Sequence, residues 1–591
     1  MSKDLTNNYP HSKPAFSDAL IFRTKATLLQ MNRAVSSALK NEVTRFPICH
    51  RLSDEAIIGQ SVTRLWTDGD AAEKRLLAGK IHNLRIALRK LNGTEIPAGG
   101  VFSFWAQIGR PGRWKGYVAG RELREGCIIP TVGGGLCQLS NALYDAALNA
   151  DFEIIERHAH TQVIPGSLAE VARDATVFWN YVDLRFRATW PYRIEAMMDA
   201  NLLIVRFRSS VRRDGQRVQH TRSRTSASAT SAAPQSCITC RVHDCFRHVE
   251  QKATDFGRSA FLVDEYYPEF NSYILEVRRE QDLLAVPLMG KRFGKANYAW
   301  SAESFRDVRQ SQLVTMLRAY QSRKLSAQGA ARQHALLKGS ERLARSYSAL
   351  LKYDVTHVTV SQNLLPFLWR DGHLGGRTFD VLMSALPLTH LHERLNSAFA
   401  LHRESKTLAD FRADEWLVRA ESEALQHARR LITPHSEIAA LCQDKALMLN
   451  WAMPAQSKTT SSQRLATCDV KVAFPAPTVG RKGAYELRAA VQGLGVRLVT
   501  VGAQLEGADF WRGVSVEHRA GNEDWLDGVD VVVLPAFVER QPRRLLEAVA
   551  RGIPVIASTA CGLENIKGVI SVSCGDVATL REEIRRACLE F

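Results

Sequence analysis

The sequence predicts an α/β chain of several domains: an N-terminal α+β domain, a small Cys/His knuckle and two lobes built on parallel sheets. Three observations carry this. From residue 259 onward, apolar runs such as AFLVDEYY, LLAVPLM, THVTVSQN and FDVLMSALPL alternate with helical stretches, the pattern of repeated strand–helix–strand units. Before residue 209, apolar spacing gives a helix over residues 80–91 and two or three strands over residues 177–208. Between these regions, residues 209–235 are rich in Arg, Ser, Thr and Ala without apolar periodicity, and a cysteine cluster follows at once. A chain of 591 residues holds roughly three to four domains, each able to bury its own core.

Residues 1–79 are a polar lead-in with a helix expected over residues 22–43. The first thirty residues have no continuous apolar h-region, and nowhere do eighteen consecutive apolar residues occur, so a cytoplasmic protein without a transmembrane segment is expected. Eleven cysteines, an odd and mostly scattered set, fit reduced thiols better than a secreted disulfide framework. The net charge is +17, and Arg206, Arg208, Arg212, Arg213, Arg217, Arg222 and Arg224 are opposed only by Asp214. Such a run reads as a solvated basic linker; with no helix-turn-helix or interleaved aromatic pattern, nucleic acid is set aside, and anionic sugar nucleotides or an acidic cell-surface polymer suit the charge.

Residues 80–208 form the first domain. In it, GGGLCQLS precedes the helical run NALYDAALNA and then FEIIERHAH. Three glycines permit a tight turn that sets Cys137 at a helix start, where unpaired amides favour a thiolate, and His158 or His160 from the next strand is positioned to reach it. Asp174 and Arg173 are further polar candidates. A free cysteine is also commonly a small buried hydrophobe, and glycines also permit close packing, so catalysis, binding by the glycine turn with His158, and pure structure all stand. Four motifs in order, GGVFSFWAQIGRPGRWKGY, VGGGLCQLSNALYDAAL, FEIIERHAHTQVIPG and RDATVFWNYVDLRF, make this segment resemble the VanW family. That resemblance brings no established activity with it.

The knuckle, residues 236–250, carries Cys237, Cys240, Cys245 and His248 in the spacing C-x2-C-x4-C-x2-H. Four such ligands can surround one tetrahedral Zn²⁺. His243 is a rival fourth ligand, an iron–sulfur cluster suits three close cysteines, and a reduced loop without metal is the bland reading.

The first lobe spans residues 251–455, with long helical stretches expected over 302–351 and 413–431; the second spans 456–591, after the break AQSKTTSSQR. No internal repeat is present. In the second lobe a strand ending near Phe474 and a helix starting near Ala484 flank Lys482-Gly483, where a glycine admits close backbone approach and a lysine can neutralise a diphosphate. Further on, a strand ends at Leu534, a helix opens near Pro542, and a second strand covers residues 553–557. Glu539 falls in the loop at the mouth, and Glu547 about a turn into the helix. Both are acceptor-only groups, suited to sugar and ribose hydroxyls, beside a helix N-terminus that attracts phosphate.

Glu539, Glu547 and EAVARGIPVIAS resemble the Glu-x7-Glu motif of retaining GT-B glycosyltransferases of the family 4, group 1 type. The resemblance implies two Rossmann-like lobes, a nucleotide-sugar donor, Glu539 on the sugar, Glu547 on the ribose and Lys482 on the diphosphate. Two places depart from that pattern. The arginine expected about five residues before Lys482 falls near Pro477, with Arg481 as a substitute; the glycine-rich acceptor loop is replaced by VDEYYPEF, where Asp264 or Glu265 is the candidate acceptor ligand. His390 stands where the family places a histidine after a strand. The expectation is a VanW-like protein with a glycosyltransferase module, moving a sugar from a nucleotide donor to a cell-envelope or surface glycan precursor. A degenerate module that only binds sugar nucleotide or glycan, and a thiol-dependent enzyme using Cys137, are the alternatives.

Overall fold

The computed structural model describes residues 44–66, 71–124, 127–160, 166–179, 181–211, 235–237, 256–325, 329–410, 412–455, 470–519 and 524–589, with Thr24, Lys25, Thr27, Leu28 and Met31. Two compact units result: one drawn from Met1–Arg258, Leu351–His357 and Asp371–Thr378, the other from Ser259–Leu350, Val358–Arg370 and Phe379–Phe591. Most of the helix expected over residues 22–43 lies outside the described residues.

In the first unit, Leu77, Ile81, Leu84, Leu88 and Leu91 recur every three or four positions and are buried, which makes the helix Ala71–Leu91 amphipathic, beginning before residue 80. Beside it an antiparallel sheet runs in the order Ala56–Arg64, Leu202–Ser209, Tyr192–Met198, Thr94–Ile96. Along Leu202–Ser209, Leu203, Val205 and Phe207 face the core at every second position. Arg206 and Arg208 therefore belong to a strand and not to a linker: Arg206 Nε donates to Gln60 Oε1 at 2.8 Å, and Arg208 Nε lies 2.7 Å from Glu195 Oε2. The rest of that arginine run lies outside the described residues. Phe152 stacks on Phe207 with centroids 4.9 Å apart and packs against Phe186 and Tyr192.

Two later segments complete this unit. Arg377, 2% exposed, donates to the carbonyls of Val355 (2.8 Å), His373 (2.6 Å), Leu351 (3.0 Å) and Lys352 (2.9 Å), and Arg85 Nε donates to Gly375 O at 2.8 Å. Burial and the positive charge of Arg89 push the Arg377 pKa down to about 9.

Two further sheets are built largely from the second unit. In the first, the order is Asp307–Gln310, Leu283–Val286, Arg258–Leu262, Val355–Ser361, Thr378–Leu382, Arg430–Thr433, Ala446–Met448. In the second it is Ser515–Arg519, Arg497–Val501, Lys471–Phe474, Val531–Leu534, Val555–Ser558, Val569–Val572, with every neighbouring pair parallel. Numbered along the chain within each lobe, both orders begin 3-2-1-4-5-6, so in each the first and fourth strands are neighbours and the connections leave them in opposite directions. The near-continuous apolar runs KVAF, VVVL and VIAS follow from burial of these strands on both faces.

Residues 302–351 are not one helical stretch. Asp307–Gln310 pairs in parallel with Leu283–Val286 as an edge strand, and the helices Gln312–Arg323 and Ala330–Ser348 follow. Likewise residues 413–431 form the helix Glu415–His427 and then enter the strand Arg430–Thr433. Sheet pairing overrides local spacing in both places. Among the described residues no helix is long and apolar enough to cross a membrane.

Candidate functional site

The crevice outside the strand C-termini is widest where connections diverge, and in the second lobe that point lies between Lys471–Phe474 and Val531–Leu534. The loops leaving these two strands carry the predicted residues. After the first strand, a short 3-10 turn, Gly480–Lys482, leads to Gly483 and the helix Ala484–Val491. After the fourth, residues 535–542 lead into the helix Arg543–Ala550. The two loops are zipped together, since Phe537 N and Val538 N donate to Arg481 O at 3.0 and 3.2 Å.

Lys482 and Glu539 meet here. Lys482 Nζ donates to Glu539 Oε2 at 2.8 Å and to Val538 O at 2.9 Å, while Glu539 Oε1 accepts from the amides of Arg540 (2.8 Å) and Gln541 (2.9 Å). Burial alone would raise the Glu539 pKa, but Lys482 and the two amides outweigh it and hold the carboxylate below its ordinary range. Glu539 is thus an ionised acceptor with only 13% of its side chain exposed.

Gly483 has φ +75°, and a Cβ there would stand 2.0 Å from Pro535 O. Gly483→Ala is therefore expected to force the two loops apart, costing more than the ~1 kcal/mol of an ordinary Gly-to-Ala strain because backbone cannot yield as a side-chain tip can. Thermal unfolding of parent and variant measures this; an unchanged transition would mean the loops reseat without cost.

Glu547 belongs to a separate set of contacts. It is the fifth residue of Arg543–Ala550, and its oxygens accept from Trp525 Nε1 at 3.3 Å and Arg551 at 3.2 Å. A carboxylate offers about four lone-pair sites, so acceptor capacity remains.

The first lobe is arranged differently at the equivalent point, between Arg258–Leu262 and Val355–Ser361. Asp264, 1% exposed, accepts from Arg318 at 2.8 and 2.7 Å and from Asn363 Nδ2 at 2.5 Å, and its amide donates to Ser361 Oγ at 3.2 Å. Burial opposes the Arg318 charge, but Asp264 outweighs it and raises the pKa. Glu265 is half exposed and lies 3.4 Å from Arg540, and His390 sits exposed in the first turn of Leu388–Leu401.

Sequence reasoning passed over Glu269, Arg543 and His435, which make contacts between the two lobes of this unit. Glu269, on the helix Pro268–Val277, accepts from Arg543 at 2.7 and 2.5 Å, joining the two lobes of this unit. His435 follows the strand Arg430–Thr433, is 3% exposed, and its Nε2 lies 3.2 Å from Ala560 O. Its only trace in the sequence is its place after a strand, in ITPHSE.

In the first unit, Cys137 is the second residue of the helix Leu136–Asn149. His158 is exposed and stands 3.4 Å from Glu156, whereas His160 hydrogen-bonds through Nδ1 to Asp174 at 2.8 Å and stands near enough to Cys137 for the thiol to raise its pKa. Arg173 donates to Asp145 and Asn149, both at 2.6 Å. Of the four knuckle residues, Cys237 is buried and its amide donates to Ile128 O at 3.0 Å; Cys240, Cys245 and His248 lie outside the described residues, as does His243. Among the described residues no cluster of three or more potential metal ligands occurs.

Residues 79–208 match the family model described as VanW like protein, and residues 482–589 match that of Glycosyl transferases group 1. The uncharacterized protein YoaR of Bacillus subtilis (strain 168) is 31% identical over 131 residues, 22% of this chain and 43% of that protein. The Vancomycin B-type resistance protein VanW of Enterococcus faecalis (strain ATCC 700802 / V583) is 31% identical over 130 residues, 21% of this chain and 47% of that protein. The chain thus spans less than half the length of these two relatives. Among solved structures, sucrose-phosphate synthase from Thermosynechococcus elongatus superposes with TM-score 0.37 at 16% identity, and the lipopolysaccharide outer core galactosyltransferase WaaB with 0.33 at 11%, each over 56% of this chain and 90% of the other. Anabaena Alr3699/HepE in complex with UDP and glucose gives 0.33 at 14%, over the same shares.

Proposed function

From a chain whose residues 79–208 are a VanW-like domain and whose residues 482–589 are a group 1 glycosyltransferase domain, we propose an enzyme that moves a sugar, with retention, from a nucleotide donor to a cell-envelope or surface glycan precursor. The observation that carries this reading is the Lys482–Glu539 pair at the point where the second lobe's connections diverge. A donor diphosphate would take Lys482 and the open amides after Gly483, its ribose Glu547, and its sugar hydroxyls Glu539. Nucleotide sugars are cytoplasmic metabolites, so this reading places the module on that side of the membrane.

A nucleotide-sugar panel followed by thermal shift and product mass tests it. One donor is expected to stabilise the protein and to leave a transferred sugar. Lys482→Ala and Glu547→Ala should each weaken that donor by about 1–3 kcal/mol, the loss of a charge-assisted hydrogen bond. Unchanged binding in both variants, or no binding by the parent, would sink the assignment.

Donor binding without transfer is a second reading, favoured by the buried Asp264–Arg318–Asn363 set at the first lobe's equivalent crevice. There the carboxylate is spent on protein partners instead of facing an acceptor. Stabilisation by a donor with no product over the acceptor panel would select it.

We also propose that Cys237, Cys240, Cys245 and His248 hold one structural zinc. Cys237 follows Gln235–Ser236, which pairs in parallel with Cys127–Val132, so the knuckle would be tethered to a sheet at one end. Metal analysis of purified protein should find close to one zinc per chain. Iron with acid-labile sulfide, or no metal, would overturn this.

A further inference from the structure

The VanW-like domain holds a second constellation that sugar transfer does not use. Gly133, Gly134 and Gly135 turn the chain into the helix Leu136–Asn149, whose N-cap, Gly135, offers no side-chain cap. A Cβ at Gly135 would meet Lys80 Cγ at 2.1 Å, so the turn is seated tightly and cannot drift. Cys137 follows in the first helical turn, half-buried, with its sulfur 4.0 Å from Thr176 Oγ1 and 3.9 Å from Val177 O.

The segment opposite is fixed to this helix. Ser140 Oγ donates to Ala175 O at 2.5 Å, and Ala175 N donates to Asn141 Oδ1 at 2.8 Å. Asp174, its side chain 5% exposed, is held from two sides. Arg157 donates to Oδ1 at 2.8 Å and to the backbone oxygen at 2.7 Å; Oδ2 accepts from both His160 N, at 2.6 Å, and His160 Nδ1, at 2.8 Å. With Nδ1 committed to Asp174, the ring's other nitrogen is the one left to turn toward Cys137. A thiol, an imidazole and a carboxylate thus stand in series, the carboxylate oriented by an arginine.

We propose that Cys137, His160 and Asp174 form an acyl-transfer site that cleaves an amide or ester through a thioester on Cys137. His160 takes the thiol proton, the sulfur attacks the carbonyl carbon, and a C–S bond forms. The carbonyl electron pair moves onto oxygen, where the Cys137 amide at the start of the helix stabilises it. As the C–N or C–O bond breaks, the imidazolium returns the proton to the departing amine or alcohol. Water, or an acceptor amine, then attacks the thioester, gives its proton to His160 and restores the thiol. Asp174 is a positioning residue, fixing the tautomer and the ring plane. His158, two residues from His160, faces Glu156 and solvent and takes no part. Burial opposes a charged His160, but Cys137 and Asp174 outweigh it and raise its pKa, in keeping with an imidazole that accepts a proton.

The test uses the full chain with p-nitrophenyl acetate as the probe. The parent should release p-nitrophenolate in a burst matched by one acetyl group on Cys137, found by peptide mass. Cys137→Ala should lose the burst. His160→Asn should slow acylation by about 10²–10⁴-fold, and His158→Ala should leave it at the parent rate. Asp174→Asn should slow acylation and displace its pH profile. Iodoacetamide labelling of the folded parent gives an answer even if a variant does not fold: Cys137 is expected to be alkylated faster than the buried thiol of Cys561. Acetylation elsewhere, a burst that survives Cys137→Ala, parent rates in His160→Asn, or a Cys137 that stays unlabelled until the chain is denatured would each overturn the proposal.

Discussion

Glu539→Ala is expected to cut sugar transfer by orders of magnitude while leaving affinity for the bare nucleoside diphosphate nearly intact. Its carboxylate is aimed by two backbone amides and Lys482, a preorganised set that contributes most where charge or hydroxyl geometry changes in the transition state. Removing it should cost on the order of 10²–10³ in rate. The diphosphate does not need Glu539, because loss of the carboxylate leaves Lys482 with Val538 O and an ammonium free to turn toward phosphate. Calorimetry with the diphosphate alone and with the full donor, beside product mass, separates these effects. A variant that transfers near the parent rate, or that loses diphosphate and donor together, would contradict the role given to Glu539.

Asp264→Ala is expected to destabilise the second unit by about 3–5 kcal/mol, the cost of stranding a buried charge. Arg318 has only 10% of its side chain exposed and donates to both Asp264 oxygens, and no water shell is at hand to replace them. The same change also frees Asn363 Nδ2, which keeps Ser340 Oγ at 3.1 Å as its remaining partner. Removing both charges with Asp264→Ala and Arg318→Leu should cost less than the two single changes added together. Urea unfolding of the three variants reads this cycle directly. Strict additivity, or a loss under about 1 kcal/mol for Asp264→Ala, would show that the pair is solvated and not structural.

The parts of this molecule that were legible in sequence are those written within one strand–loop–helix unit. Lys482, Gly483, Glu539 and Glu547 sit at fixed offsets from apolar strands, so strand ends and helix starts place them without knowledge of the rest of the chain. Partners far apart leave no such trace: Asp264 and Arg318 are separated by 54 positions, Glu269 and Arg543 by 274. The choice between His158 and His160 failed to be readable for another reason. The strand Glu153–Glu156 ends before either histidine, so two-residue alternation no longer says which side each ring takes. The edge strand Asp307–Gln310 was hidden because its residues are only half-covered or exposed and carry charge, as edge strands do, and thus look like a helix surface.

The carbonyls that satisfy Arg85 and Arg377 carry a consequence for how the protein is made. Arg85 waits for the oxygen of Gly375, 290 positions downstream, and a Cβ at Gly376 would stand 2.2 Å from Ile81, so this turn is a fitted piece of the helix's surroundings. On a ribosome that adds about 5–20 residues per second, the VanW-like domain is exposed for many seconds before Asp371–Thr378 emerges to close it. Its last guanidinium partners are supplied by chain that is on its way to building another sheet. The early domain is therefore completed only when that later segment has been made, and a VanW-like fragment cut off at the basic linker lacks the Gly375 carbonyl that Arg85 meets in the whole chain.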